Sequence, residues 1–216
     1  MNPFPSYTIS EEIANSVLHG FGALLATAGL VLLSLRAGGL LGGQGGGSLD
    51  IIAVIVFTST MIVMFLISTV YHAIQHPGTK RIMRKLDHSI IFVFIAGTYT
   101  PLSLSGLGGA WGWSLFAFQW TMVVLGITLN FLDIKAMKKV QIAVYLMMGW
   151  AVIVGFVPLL QSVPGRSVFL IFLGGVIYSL GIIFYRRQKI KFMHSVWHVF
   201  VMIGAICHWF AVWYII

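Results

Sequence analysis

The run Phe192-Met-His194-Ser-Val-Trp-His198-Val-Phe-Val-Met-Ile-Gly-Ala-Ile-Cys-His-Trp-Phe-Ala-Val-Trp-Tyr-Ile215 contains no Asp, Glu, Lys or Arg. It is long enough to cross a bilayer as a helix. Yet it opens on His194 and His198, four residues apart, which places both imidazoles on one helical face. Ionisable side chains inside a membrane are costly and usually face a functional interior. The fold therefore reads as membrane-spanning, with a polar site built into one end.

The rest of the chain agrees. Of 216 residues, 59% are hydrophobic and only 8% charged, an apolar surface too large for a soluble domain to hide. Seven apolar runs follow one another: Ile13 to Leu35, Ile51 to Ile74, Asp87 to Leu107, Trp111 to Leu132, Val140 to Leu160, Ser167 to Tyr185 and Phe192 to Ile215. The expected architecture is an all-α integral membrane protein: a single seven-transmembrane helix bundle over residues 1–216. Asn15, Ser16 and His19 make the first run the least apolar at its start. The glycine-rich stretch from Ala37 to Ser48 reads as a flexible linker. The start of the chain lacks a basic n-region before its first apolar run and does not resemble a cleaved signal peptide.

A net charge of +8 raises the question of nucleic acid, but the basic residues sit between apolar runs, where they orient helices and attract anionic headgroups. Lys80, Arg81, Arg84 and Lys85 follow the second run, Lys135, Lys138 and Lys139 the fourth, and Arg186, Arg187, Lys189 and Lys191 the sixth. The intervening loops contribute only Arg36 and Arg166. The positive-inside rule then expects the N-terminus inside and the C-terminus outside. A single cysteine, Cys207, allows no intrachain disulfide.

This topology brings separate residues to one depth. His72 lies near the end of the second run, Asp87 begins the third, and His194 and His198 open the seventh, all beside inside loops. Neutral imidazole suits zinc, and three protein ligands are usual at a catalytic zinc site. His72, His194 and His198 are the candidate metal ligands. Asp87 is a candidate to orient a ligand or take a proton from water, and Ser68, one turn before His72, to hydrogen-bond water or substrate.

Spacing alone does not establish a metal. Seven histidines predict about 0.2 His-x-x-x-His pairs by chance, and the chain has two, because His72 and His76 share the spacing. Interfacial histidines also commonly snorkel or hydrogen-bond. The shared depth is the discriminating feature. His76, just before Pro77, is expected at the interface; His88 points away from Asp87; His208 is expected to be structural. Asn15 and His19 are expected to tie the first helix to the core, Gly97 and Pro101 to mark close packing or a kink, and Trp and Tyr to anchor at the interfaces.

Taken in order, Glu11-Glu-Ile-Ala-Asn-Ser-Val-Leu-His19, Ser68-Thr-Val-Tyr-His72, Leu86-Asp-His88, Ala96-Gly-Thr-Tyr-Thr-Pro101 and His194-Ser-Val-Trp-His198 resemble the bacterial haemolysin III family of the progestin and adipoQ receptor superfamily. The resemblance runs over nearly the whole chain. It implies seven helices with the N-terminus inside, in a bacterial inner membrane. It also implies Zn2+ on the histidines matching His72, His194 and His198, with the residues matching Asp87 and Ser68 nearby. Receptor members and the related alkaline ceramidases have been linked to amide hydrolysis of lipids. The long cytosolic extension of the animal hormone receptors has no counterpart here, so receptor function does not carry over.

The expected function is zinc-dependent hydrolysis of a lipid amide or ester bond drawn from the inner leaflet. The alternatives are a non-enzymatic lipid sensor with structural zinc, and a haemolysin-type pore. The last fits least, because the polar residues gather at one side of the membrane.

Overall fold

A computed structural model describes residues 7–43, 46–132 and 135–216, with backbone alone over 135–139. The elements are α1 (Ile9–Ala37), α2 (Ser48–Ala73), α3 (Pro77–Pro101), α4 (Gly109–Phe131), α5 (Lys135–Gly149), α6 (Phe156–Ser162), α7 (Gly165–Tyr185) and α8 (Met193–Ile215). A π-helical turn, Leu102–Leu107, continues α3, and a 3-10 turn, Ala151–Gly155, joins α5 to α6. Among the described residues, seven helical segments are long and apolar enough to cross a membrane, the fifth being composed of α5, the turn and α6.

Consecutive helices pack side by side, and α1 closes against α8. The main core draws Leu33 from α1, Phe57 and Phe65 from α2, Phe94 from α3 and Val201 from α8. The outside is apolar: Leu24, Val124, Val154 and Phe169 are exposed. Asn15, Thr58, Ser68, His72 and Gln119 are buried instead. This polar-in, apolar-out arrangement suits hydrocarbon, which solvates leucine well and polar groups badly.

Helix α1 starts where Thr8 and Glu11 form a reciprocal capping box. Its polar opening, a weakness by hydropathy, is its buried face: Glu12, Asn15, His19, Ala26, Gly29 and Leu33 all turn inward. At the far end, Arg36 Nε donates to the carbonyl of Trp213 at 2.7 Å, and its guanidinium lies 4.5 Å from that indole. Midway, Trp209 Nε1 donates to the Gly29 carbonyl at 3.2 Å, with the indole filling the space a side chain would take. Gly97 is likewise packed directly against Thr60, as its place in a close helix crossing predicts.

Two elements depart from the sequence reading. The third helix begins at Pro77, well before Asp87, so Lys80 to Lys85 lie in its opening turns and not in a loop. The reason is local: Pro77 is preorganised for a first helical position, and His76 caps it, Nδ1 accepting from the Thr79 amide at 3.3 Å. Hydropathy detects only the embedded part of that helix. The fifth span is broken, because Pro158 lacks an amide hydrogen and crowds the carbonyl four residues back, which falls in the 3-10 turn. Tyr99 repairs the break: its hydroxyl donates to the Gly149 carbonyl at 2.6 Å and accepts from the Val152 amide at 3.0 Å. Tyr99 is thus a core residue and not an interfacial anchor.

Candidate metal centre

Three helix ends meet at the basic side of the bundle. His72 lies one residue before the end of α2, and His194 and His198 occupy the first turns of α8. The entry to α8 is fixed by Phe192, whose backbone is left-handed at φ 62°. Its amide donates to Glu11 Oε1 at 2.8 Å, while Glu11 Oε2 accepts from the Thr8 amide at 2.9 Å. One carboxylate therefore caps α1 and pins the residue that launches α8.

The histidines are buried: 0% of His72, 8% of His194 and 2% of His198 is exposed. One ligand nitrogen from each lies within 4.8 Å of the others. Nε2 of His194 and Nε2 of His198 are 3.0 Å apart. On a tetrahedral zinc with Zn–N near 2.0–2.1 Å, two such nitrogens sit about 3.3 Å apart. His72 Nε2 is buried without a hydrogen-bond partner. A buried lone pair so placed is costly unless something binds it. The residues present therefore fit a zinc ion.

The other nitrogen of His72 sets its tautomer. Nδ1 is 2.6 Å from Glu12 Oε2 and 3.5 Å from Asn15 Nδ2. It cannot donate to one and accept from the other, and the short carboxylate contact wins. Nδ1–H donates to Glu12, leaving the Nε2 lone pair for a cation, the carboxylate–histidine arrangement typical of metal sites. Asn15 is joined to α8 as well, accepting at Oδ1 from the Ser195 hydroxyl at 2.6 Å.

Among the expected residues, the structure brings His72, His194 and His198 together. Ser68 is buried one turn before His72 on α2. Asp87 does not join the three-histidine group. It is half-buried, within electrostatic reach of Tyr71 and Tyr185. The rings of those tyrosines lie 4.6 Å from His72 and 6.0 Å from His194. Tyr7 stacks on His194 at 5.0 Å and also covers the site. Burial, reinforced by the neighbouring phenols and Glu12, holds the Tyr7 hydroxyl well above its usual range, so it stays a neutral donor. His208 is structural, its Nε2 lying 3.1 Å from the Ile171 carbonyl.

The contact of Glu12 with His72 and the placement of His19 go beyond the sequence reading. His19 stacks on His198, centroids 3.7 Å apart and planes within 14°, with both ring nitrogens unpartnered. The available signal was the i, i+3, i+7 spacing of Glu12, Asn15 and His19, which sets them on one helical stripe.

The haemolysin-III related family matches residues 7–209, and thus includes every residue of this centre. The chain belongs to that family. A hemolysin-3 homolog of Bacillus subtilis (strain 168) is 41% identical over 206 residues, covering 95% of this chain and 94% of the relative. Hemolysin-3 of Bacillus cereus is 37% identical over 204 residues, covering 94% and 91%. The human monocyte to macrophage differentiation factor is 29% identical over 213 residues, covering 95% and 84%. In this haemolysin III-related chain, all three metal-ligand candidates and their Glu12 support fall inside the shared region.

Proposed function

We propose that the chain is a metal-dependent hydrolase of lipid amide or ester bonds, holding zinc through His72, His194 and His198. The observation that supports this most is the meeting of three buried imidazoles from two helices, with a carboxylate fixing the tautomer of one. Among the described residues the group comprises three ligands, and a site of three protein ligands leaves a position free for chemistry. Bound there, zinc supplies a Lewis acid for a carbonyl oxygen and activates water near neutral pH.

The chain's own residues do the rest. Glu12 holds the proton on His72 Nδ1. Asp87, at the tyrosine-lined rim, takes the proton from the attacking water at its carboxylate. Ser68 donates its hydroxyl to the oxygen on which charge develops. The rings of Tyr7, Tyr71 and Tyr185 limit bulk water at the basic end. The substrate is a membrane lipid and not nucleic acid, entering from the leaflet beside the basic loops. By the positive-inside rule that is the inner leaflet of a bacterial inner membrane, with the N-terminus inside.

The test is turnover of ceramide-type amides and of phospholipid or acylglycerol esters by purified protein, with and without chelator, beside His194→Ala. Loss of turnover on chelation, restored by zinc and absent in the variant, is expected. Undiminished turnover after verified zinc loss overturns the mechanism.

A further inference from the structure

Glu12 is a buried carboxylate, its side chain 7% exposed, and its two oxygens have separate tasks. Oε2 meets His72 Nδ1 at 2.6 Å, and Oε1 meets Lys80 Nζ at 2.6 Å. Lys80 sits in the first turn of α3 and is itself held. Its ammonium also donates to the Ile74 carbonyl at 3.0 Å, just past the end of α2, and lies 5.2 Å from the Tyr71 ring. The carboxylate thus joins α1, α2 and α3 at a single point directly behind a metal-ligand histidine.

We infer that Lys80 is a positioning residue for the metal centre, acting through Glu12 to fix the tautomer and aim of His72. The inference rests on the reading that His72, His194 and His198 hold a metal.

The physical argument is one of competition. A buried carboxylate without a cation is strongly unfavourable, so removing the ammonium draws Glu12 outward to water and off His72. The other hydrogen-bonding partner of Nδ1 is the Asn15 amide at 3.5 Å. An amide N–H there donates to the Nδ1 lone pair and favours the tautomer with hydrogen on Nε2, the nitrogen that must stay bare to bind a cation. Lys80 decides between these two partners by keeping Oε1 engaged, which leaves Oε2 facing the imidazole. Lys80 reaches the site directly, through its ion pair with the Glu12 carboxylate.

The experiment is zinc affinity of the full chain in detergent, measured by competition with a chromophoric chelator. Lys80→Met is expected to bind zinc 10- to 100-fold more weakly, the range for losing a group that supports a metal ligand. Lys80→Arg is expected within about threefold of wild type, since it retains a donor and a charge. Lys189→Gln, which removes a basic charge from the same end of the bundle, is expected to change nothing. Glu12→Gln should weaken zinc as much as Lys80→Met, and the double variant no further, because both act along one path.

A second route avoids dependence on Lys80→Met folding. Lys80→Cys in a Cys207→Ser background, alkylated with 2-bromoethylamine, rebuilds a lysine-like ammonium and should recover zinc affinity. Alkylation with iodoacetamide should not. Wild-type affinity in Lys80→Met, losses that multiply in the double variant, or no recovery on aminoethylation each overturn the inference while leaving the metal centre standing. A wild-type chain that takes up no zinc overturns the metal reading and this inference with it.

Discussion

Glu11 Oε1 accepts the backbone N–H of Phe192 at 2.8 Å, across 181 residues of sequence. The same side chain completes the cap of α1, so one carboxylate links the first turns of α1 and α8. Glu11→Ala is expected to destabilise the fold by about 2.5–4 kcal/mol, combining a lost cap of ~1 kcal/mol with a lost charged hydrogen bond of ~1.5–3 kcal/mol. Glu11→Gln, which keeps an acceptor, should lose clearly less. Thermal unfolding in detergent separates the two, and equal losses would show that the Phe192 contact contributes nothing.

Zinc itself should stabilise the chain. At a thousandfold above its dissociation constant, a ligand specific for the folded state contributes about 4 kcal/mol. For a chain of this length that corresponds to a rise in Tm of roughly 10 °C. Chelator should remove that increment from wild type and leave His72→Ala, His194→Ala and His198→Ala unmoved. A chelator effect that persists in all three variants would place the ion elsewhere.

Close packing of α1 on α8 gives a third expectation. A Cβ at Gly29 would stand 2.6 Å from Trp209 Nε1, and that nitrogen is tethered to the Gly29 carbonyl. The indole cannot move aside without breaking its hydrogen bond. Gly29→Leu is therefore expected to cost about 1–3 kcal/mol through overpacking. Trp209→Phe should cost ~1 kcal/mol for the lost hydrogen bond. Unfolding of the Gly29→Leu chain in the Trp209→Phe background checks that the clash is with the indole, because there the penalty should shrink.

Orientation is open to direct measurement. The clusters at Lys80 to Lys85 and at Arg186 to Lys191 share one end of the bundle by helix order, and by the positive-inside rule that end is expected in the cytoplasm. In a Cys207→Ser background, a cysteine at Gln188 should resist a membrane-impermeant maleimide in intact cells. A cysteine at Gly108, in the loop after the π-helical turn, should react. The opposite pattern inverts the proposed leaflet of entry.

How far the sequence reached depends on the range of the physics involved. Apolar runs of bilayer length and basic clusters between them are local features, and seven spans follow from them directly. The histidine pair at 194 and 198 is also local, because helical periodicity alone aligns its rings. Hydropathy sets Asp87 at a helix start, because it cannot see the charged turns of α3 that precede it. The break after Gly149 depends on what Pro158 does four residues earlier and on Tyr99 arriving from another helix to satisfy it.

The sequence by itself determined the all-helical fold of membrane-length spans and the shared face of His194 and His198, since span length and helical period are set by neighbouring residues. Only the tertiary structure decided that adjacent Glu11 and Glu12 serve different partners, one the Phe192 backbone and the other His72 and Lys80. Successive residues on a helix point about 100° apart. What each meets is then fixed by which helices pack alongside, a matter of contacts far apart in the chain.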